Sequence, residues 1–515
     1  MKRSRLAAID IGTNSIRCIV VEAGTDGKFR VLDDEKVTVR LGEGFARNGS
    51  ISAAAWQRAM DALSRMKKIV DSFGVIKVET VATSAVRRAL NGNDFVRAVA
   101  ANIGLQVAVI SGEDEAQLAA ISALHNFDMA GTRYAMVDIG GGSVEVVTAL
   151  GNHIEEVYSL ELGAVTLTEK YVNSDPIKRG DYLRLRRFIR KTLRGAIIGE
   201  ELPVQCLLGS GGTMTAIAAM VMAARKEEYG SIHGYEVLRS EVVHLLAMLL
   251  RSSLKERRSI PGLNPDRADI IVAGVIVVDE LMEMFKANLL KINERGIREG
   301  LILNSLKKLN LFPEGKQPRN WRDSVLEFAR SCHHDEVHSL QVASLALEIF
   351  AVVATTFVLG EKERQMLEAA ALLHDVGYFI SYTGHHKHSY HLVRHADIFG
   401  FTPRERELIA HVARYHRKSL PKKKHEMFAR LTSQDQLLVK RLGGILRLAD
   451  GLDRRRNSLV SGIDCSLSPY TFMVRLNAVD DVSVELFGGK AKGDLFEEAF
   501  DRKLMLLPAF AAEPP

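Results

Sequence analysis

Near the start of the chain an apolar run is broken by a short polar turn and then resumes: Ala8-Ile-Asp10-Ile-Gly12-Thr-Asn-Ser15-Ile passes into apolar Ile16 to Val21. The pattern returns as Val137-Asp138-Ile-Gly140-Gly-Gly-Ser143-Val, followed by Val144 to Thr148. Both copies read as strand, glycine turn, strand, so a unit has been duplicated. A dinucleotide fingerprint would open a helix after its glycines, and no G-x-x-x-x-G-K-[ST] loop occurs, so neither common nucleotide motif is present. Between the copies, Ala53 to Phe73 and Asp94 to Ile103 follow helical periodicity, whereas Val78 to Thr83 and Gln106 to Ile110 read as strands. After the second copy come a strand at Gln205 to Leu208, the turn Gly209-Ser-Gly-Gly-Thr213 and a helix from Met214 to about Lys226. Helices are expected at Arg239 to Leu254, at Ala268 to Leu289 and from Gly296 onward.

Leu311-Phe-Pro-Glu-Gly-Lys-Gln-Pro318 interrupts the helical pattern with two prolines and a glycine, and reads as a linker. Beyond it the chain is mainly helical to about Asp453, and Thr471 to Leu476 and Val482 to Leu486 are expected to form a short sheet. The resulting division is a first α/β lobe at 1–130, a second at 131–311, a helical domain at 320–455 and a small α+β segment at 456–515.

The 515 residues exceed what one core can organise, and 47% hydrophobic with 26% charged content is that of folded globular protein. Met1-Lys-Arg-Ser-Arg5 has the charge of a leader, but the apolar stretch after it meets Asp10 at once, so no export signal is expected. The aliphatic run Ile270 to Val278 is about half of the ~20 residues a bilayer requires, and no membrane partner is expected. Cys18, Cys206, Cys332 and Cys465 form no C-x-x-C pair, which points to a reducing cytoplasm. A net charge of +6 and a pI near 9.0 favour an anionic partner. The basic stretch Arg414, Arg417, Lys418, Lys422 to Lys424 contains only Tyr415 as an aromatic, so a nucleic-acid stacking surface is not expected.

A carboxylate ending a buried strand beside a glycine turn suits Mg²⁺ and phosphate together, because Mg²⁺ takes hard oxygen ligands and the turn presents N–H donors. Asp10 and Asp138 hold that position in the two copies, and the turns Thr13 to Ser15 and Gly141 to Ser143 are expected to face one another as a phosphate clamp. Gly209 to Thr213, at a helix start, would add donors.

These motifs, with Thr83-Ser-Ala-Val-Arg87, Ile110-Ser-Gly-Glu-Asp-Glu115-Ala, Asp138-Ile-Gly-Gly-Gly-Ser-Val-Glu145 and Arg298-Glu-Gly300, resemble the exopolyphosphatase and guanosine pentaphosphate phosphatase (Ppx/GppA) family over roughly residues 5–305. The resemblance implies a duplicated actin-like core of two lobes, ribonuclease H-like and of the sugar kinase, heat-shock and actin superfamily, in a cytoplasmic homodimer. It further implies that Glu115 is the general base, that Asp138 and Glu145 assist it and bind Mg²⁺ with Asp10, and that Asn14, Ser15, Arg87, Gly141, Gly142, Ser143, Gly211 and Thr213 hold phosphates. Asp114 stands where the family motif has its first glutamate. Read without the family, Glu115 is one acid of a solvated run, Glu113-Asp-Glu115.

The C-terminal third contains His338, His374-Asp375 and Asp450 in the order of metal-dependent HD phosphohydrolases, which this segment resembles; a mainly helical HD-like domain with a second divalent metal is the implied reading. His388 and His416 fall where two-metal members place further ligands, among the neighbours His385, His386, His391, His395 and His411. Within the family, inorganic polyphosphate is the expected substrate, with guanosine pentaphosphate the alternative. An ATP-dependent kinase or chaperone, a non-catalytic phosphate-signal sensor and an HD-site nucleotide phosphohydrolase are the remaining readings.

Overall fold

The computed structural model describes residues 4–24, 28–197, 203–311 and 320–508; the expected linker, apart from Leu311, lies outside them. The chain forms two compact units, Met1–Glu228 with Ile232–Pro318 and Tyr229–Ser231 with Arg319–Pro515.

In the first unit, strands β1 (Ser4–Ile11), β2 (Ser15–Ala23), β3 (Phe29–Thr38), β4 (Lys77–Ala82) and β5 (Val107–Val109) form a sheet in the order β3-β2-β1-β4-β5. β1 and β2 are an antiparallel hairpin pairing Asp10 with Arg17 and Ile11 with Ile16, and β4 lies parallel to β1 on its other edge. Side chains alternate across a strand, so Ala7, Ile9 and Ile11 enter a core with Ala55, Leu63 and Phe95 of helices Ala53–Ser72 and Gly92–Ile103. Leu6 and Ala8 face the opposite side, against Leu118, Leu301 and Ile302.

The second sheet repeats the plan with β6 (Arg133–Ile139), β7 (Val144–Leu150), β8 (His153–Leu160), β9 (Cys206–Ser210), β10 (Glu236–Leu238) and β11 (Leu289–Ile292), in the order β10-β11-β9-β6-β7-β8. Again the glycine turn joins an antiparallel hairpin, β6 to β7, pairing Asp138 with Glu145, and β9 lies parallel to β6. The duplication is thus one of topology as well as of sequence. Two helices tie the sheets together: Gly112–Asn126 puts Ala116 and Ala120 against Met136 and Leu208, and its Leu118 against Ile302 of helix Ile297–Lys308.

Two expectations are corrected. Ala268 to Leu289 is not one helix: the helix spans Ile271–Met284, Lys286 turns through the left-handed region (φ 51°), and Leu289 opens β11, paired in parallel with β9. Val482 to Leu486 is not a strand: Val482 precedes helix Ser483–Lys492, whose Gly488 and Gly489 press so closely on Gly451 that a Cβ there would lie 2.6 Å from Gly488 O.

The second unit packs helices Trp321–Ser331, Glu336–Phe357, Glu361–Leu373, His385–His395, Pro403–Arg414 and Ser433–Leu452 around one core that also takes Phe472, Val474 and Phe496 from the C-terminal segment. Its sheet consists of β12 (Gly462–Leu467), β13 (Thr471–Asn477) and β14 (Lys503–Pro508). Helix Glu336–Phe357 is long and apolar enough to cross a membrane by length and composition. Here its Val342, Leu345, Ala346, Ile349 and Val353 lie in the unit's core. All four cysteines are free.

Candidate functional site

The two hairpin turns meet. Gly12 N–H donates to Ser15 O at 3.1 Å, and Gly140 N–H to Ser143 O at 3.0 Å, so both turns have the same closure. A Cβ at Gly141 would lie 3.0 Å from Thr13 Cβ, and one at Gly142 only 2.5 Å from Ser84 Oγ. The glycines are therefore required by the approach of one turn to the other. Asn14 O braces its turn by accepting from Val39 N–H at 3.1 Å and Arg40 N–H at 2.8 Å. Asp10, Thr13, Asn14, Ser15, Asp138, Gly141, Gly142, Ser143 and Gly211 all line one cleft between these turns.

Glu115 lines the same cleft and is buried, not solvated as the acidic run alone implied. The reason is local: Ser111 caps helix Gly112–Asn126, accepting from Asp114 N–H at 3.0 Å, while Asp114 Oδ2 accepts from Ser111 N–H at 3.2 Å. With Asp114 occupied in this capping box, the next residue, Glu115, turns inward. Asp114 is a structural residue of its motif. Arg87 Nη1 donates to Ile110 O at 2.7 Å and lies 3.4 Å from Glu115 Oε2, so the arginine expected to hold phosphate also orients the glutamate.

Glu145 is buried opposite Asp138, and its Oε1 accepts from Ser159 Oγ at 3.2 Å. Four carboxyl groups therefore share one site. Burial, then the nearby Glu145, Asp10 and Asp138, push the Glu115 carboxyl well above its ordinary range, against the pull of Arg87. Burial raises Asp10 to about 6, opposed by Arg17 and Arg298, and burial likewise raises Asp138 and Glu145. Asp10 Oδ1 and Glu145 Oε2 are buried without a hydrogen-bond partner. Crowded, dehydrated carboxylates with unsatisfied oxygens have the chemistry that a hard divalent cation takes, although no three of these four acids offer oxygens within 4.8 Å of one another, so any such ion would keep waters among its ligands.

Thr213, expected among the phosphate-holding residues, is instead wholly buried; its side chain packs where a Cβ at Gly274 would lie 2.6 Å from Cγ2. Gly211 and Gly212 line the cleft in its place, and Gly211 (φ 90°) lies so near Asp138 that a Cβ would be 2.7 Å from Oδ1. Arg298-Glu-Gly300 is mainly a joint. Arg298 donates to Cys18 O at 3.1 Å and pairs with Asp34, while Glu299 Oε2 accepts from Ser122 Oγ at 2.8 Å and Asn126 Nδ2 at 2.7 Å.

Sequence reasoning gave no role to Arg17 and Arg267, which line the cleft with Arg295 and Arg298. Arg17 had a signal, since it pairs with Asp10 where the second hairpin pairs Glu145 with Asp138. Arg267 had none; only folding brings it against Gly212, whose Cβ would lie 2.2 Å from Arg267 Nη1.

In the second unit the structure brings His338, His374, Asp375 and Asp450 together. His338 Nε2 lies 3.5 Å from Asp450 Oδ1, and His374 Nε2 lies 3.5 Å from Asp375 Oδ2. His416 joins them, but His385 rather than His388 stands beside it, 3.2 Å from Asp375 Oδ1. His385 begins its helix and stacks on Tyr378 at 3.9 Å, whereas His388 lies almost a turn further on.

The Ppx/GppA phosphatase family profile matches residues 20–309, and the profile of Ppx/GppA phosphatase domain III matches residues 322–480. Exopolyphosphatase 2 of Mycobacterium tuberculosis (strain CDC 1551 / Oshkosh) is 31% identical over 318 residues, 59% of this chain and 99% of the relative. A solved Ppx/GppA family member from Aquifex aeolicus is 29% identical, covering 60% of this chain and 99% of its own, with a TM-score of 0.53. The solved exopolyphosphatase from Cytophaga hutchinsonii is 25% identical, covering 60% and 100%, with a TM-score of 0.56. The N-terminal part shares their actin-like fold. With its paired glycine turns and their flanking acids, this chain belongs to the Ppx/GppA phosphatase family.

Proposed function

We propose that the chain is a Mg²⁺-dependent exopolyphosphatase that removes the terminal phosphate of inorganic polyphosphate. The observation that carries this reading is the buried Glu115 carboxylate, held by Arg87 beside two facing glycine turns. The turns would hold the terminal phosphate through backbone N–H groups and the hydroxyls of Thr13, Ser15 and Ser143. Glu115 would orient a water in line with the terminal anhydride and take its proton as the water oxygen bonds to phosphorus. The phosphorus–oxygen anhydride bond then breaks, and its electron pair leaves with the shortened chain. Mg²⁺ held by Asp10, Asp138 and Glu145, when bound, offsets charge on the phosphate oxygens. Arg87 beside Glu115, and a bound cation, would favour the ionised carboxylate that this role requires, against the burial that raises it.

Polyphosphate is favoured over guanosine pentaphosphate by what lines the cleft. Arg17, Arg267, Arg295 and Arg298 are present, and no aromatic ring on which guanine could stack is found among the described lining residues. Arginine forks match phosphate oxygens. Relatives named as exopolyphosphatases point the same way.

Phosphate release from long-chain polyphosphate and from guanosine pentaphosphate, each with Mg²⁺, tests the assignment. A higher kcat/KM for polyphosphate is expected, and a clear preference for the nucleotide would replace this reading with the 5′-phosphatase.

A further inference from the structure

Arg40 is not among the described residues lining the cleft, yet it is bonded to both of its walls. Its backbone is unusual. The φ of 51° lies in the left-handed region, which a side chain disfavours and glycine takes freely. A glycine would relieve that strain, as Gly44 (φ 74°) does further along the same loop. An arginine held there points to a use for its side chain.

The backbone of Arg40 belongs to the first wall. Val39 N–H and Arg40 N–H both donate to Asn14 O, and Gly42 N–H donates to Thr13 O at 2.9 Å, so the segment after β3 backs the first glycine turn. The side chain reaches the second wall. Arg40 Nη1 donates to Asp269 Oδ2 at 2.8 Å, and Nη2 donates to Asp266 O at 3.0 Å. These two acceptor residues stand on either side of Arg267 in the chain, at the short turn Pro265–Arg267, which Asn264 caps by accepting from Asp266 N–H at 2.9 Å. Arg267 lines the cleft, and its Nε is buried without a hydrogen-bond partner, so its direction depends on the residues that flank it. Ile270, next to Asp269, packs on Ala164 and Val165, whose N–H groups donate to Gly140 O at 3.1 Å and Gly141 O at 2.9 Å. A continuous path of bonds and packing therefore runs from the first turn, through the Arg40 guanidinium, to the second. Gly44 N–H, which donates to Glu169 Oε1 at 2.8 Å, ties the same loop to helix Ala164–Tyr171.

We propose that Arg40 is a positioning residue whose guanidinium acts as a strut, fixing the spacing of the two glycine turns and the aim of Arg267 into the cleft. This rests on the reading of the cleft as the site of phosphate release. Phosphoryl transfer is sensitive to such spacing, because its catalysis consists mostly of placing the nucleophile and the donors around the transferred group. The Arg40 and Asp269 side chains are 38% and 31% exposed, and an ion pair so open to water adds little to stability, so the effect of the strut is on geometry. The opposing reading is a rim cation that only attracts the polyanion. Removing Asp269 would then help binding, because an acid beside the entrance is lost.

Arg40→Gly and Asp269→Ala test the strut in the full chain, with Mg²⁺ and long-chain polyphosphate. Arg40→Gly keeps the left-handed backbone without its strain, so the thermal unfolding temperature should stay close to that of the wild type, yet kcat should fall about 10–10²-fold, the scale of a slightly misplaced reacting group. Asp269→Ala should lower kcat to a similar extent, and the double variant should lose no more than either alone, because both break one contact. Wild-type kcat in either single variant, or a lower KM with kcat kept in Asp269→Ala, overturns the strut. Hydrogen exchange supplies a readout that needs no substrate. Arg40→Gly should speed exchange at Ala164 and Val165, and Asp269→Ala at Val39 and Gly42, each on the wall that the substitution leaves intact. Unchanged exchange there also overturns the proposal. If the wild-type protein released no phosphate from polyphosphate, the proposed function would fall, and the exchange result would still decide the strut.

Discussion

Arg87 touches Glu115 at 3.4 Å while Ile110 O fixes its Nη1 at 2.7 Å, so its guanidinium acts as a spacer between a strand end and the base. Arg87→Ala is expected to lower kcat for polyphosphate about 10²-fold, the scale of misplacing a reacting group. Arg87→Lys should restore part of it, because both contacts run through the single nitrogen Nη1 and an ammonium also donates to more than one oxygen from one nitrogen. Steady-state kinetics of the two variants checks this. At this scale the sequence was informative where chemistry repeats. Asp10 and Asp138 end equivalent strands, and their turns were legible as facing donors. Residues whose place depends on long-range packing were not. Arg267 is remote in sequence from Gly212, Thr213 lies two residues beyond Gly211, inside helix Gly212–Arg225 and buried, and His385 differs from His388 by three residues on one helix.

The connecting helices depend on close backbone contact. A Cβ at Gly300 would lie 2.1 Å from Leu118 O, with Leu118 on the helix that carries Glu115. Gly300→Ala is therefore expected to destabilise the first unit by about 1–3 kcal/mol, as overpacking does, and to lower its thermal unfolding temperature. Differential scanning calorimetry reads the effect; an unchanged transition would mean that the helices part without cost. Strand–turn–strand units were readable because a polar turn between two apolar runs has few alternatives. β11 was hidden because Phe285 to Asn288 contains no glycine or proline to mark the turn, and its four residues continue an apolar series. Helix Ser483–Lys492 was misread because Val482, Val484 and Leu486 alternate, although the contact that holds it runs through Gly488 and Gly489 to Gly451. Glycines that bring two helices together leave no apolar periodicity to read.

For the whole molecule, the net charge of +6 is modest, but the cleft gathers Arg17, Arg267, Arg295 and Arg298 where the anionic chain would enter. If several phosphates are held by such contacts, KM for long-chain polyphosphate should rise about tenfold between ~0.05 and ~0.3 M salt, in the manner of counterion release from a polyanion. Under the same conditions kcat should change little, since buried groups are screened less. Initial-rate measurements across ionic strength separate the two. A flat KM would place the grip in the terminal-phosphate pocket alone.

The central claim is that Glu115 is the base, and Glu115→Gln tests it most directly because the carboxamide keeps the size of the side chain and loses its ability to take a proton. In single-turnover phosphate release from polyphosphate with Mg²⁺, the variant should be slower by about 10²–10⁴-fold, while polyphosphate binding measured on the same preparation is retained. Release at close to the wild-type rate would contradict the account and require another group to accept the proton of the attacking water.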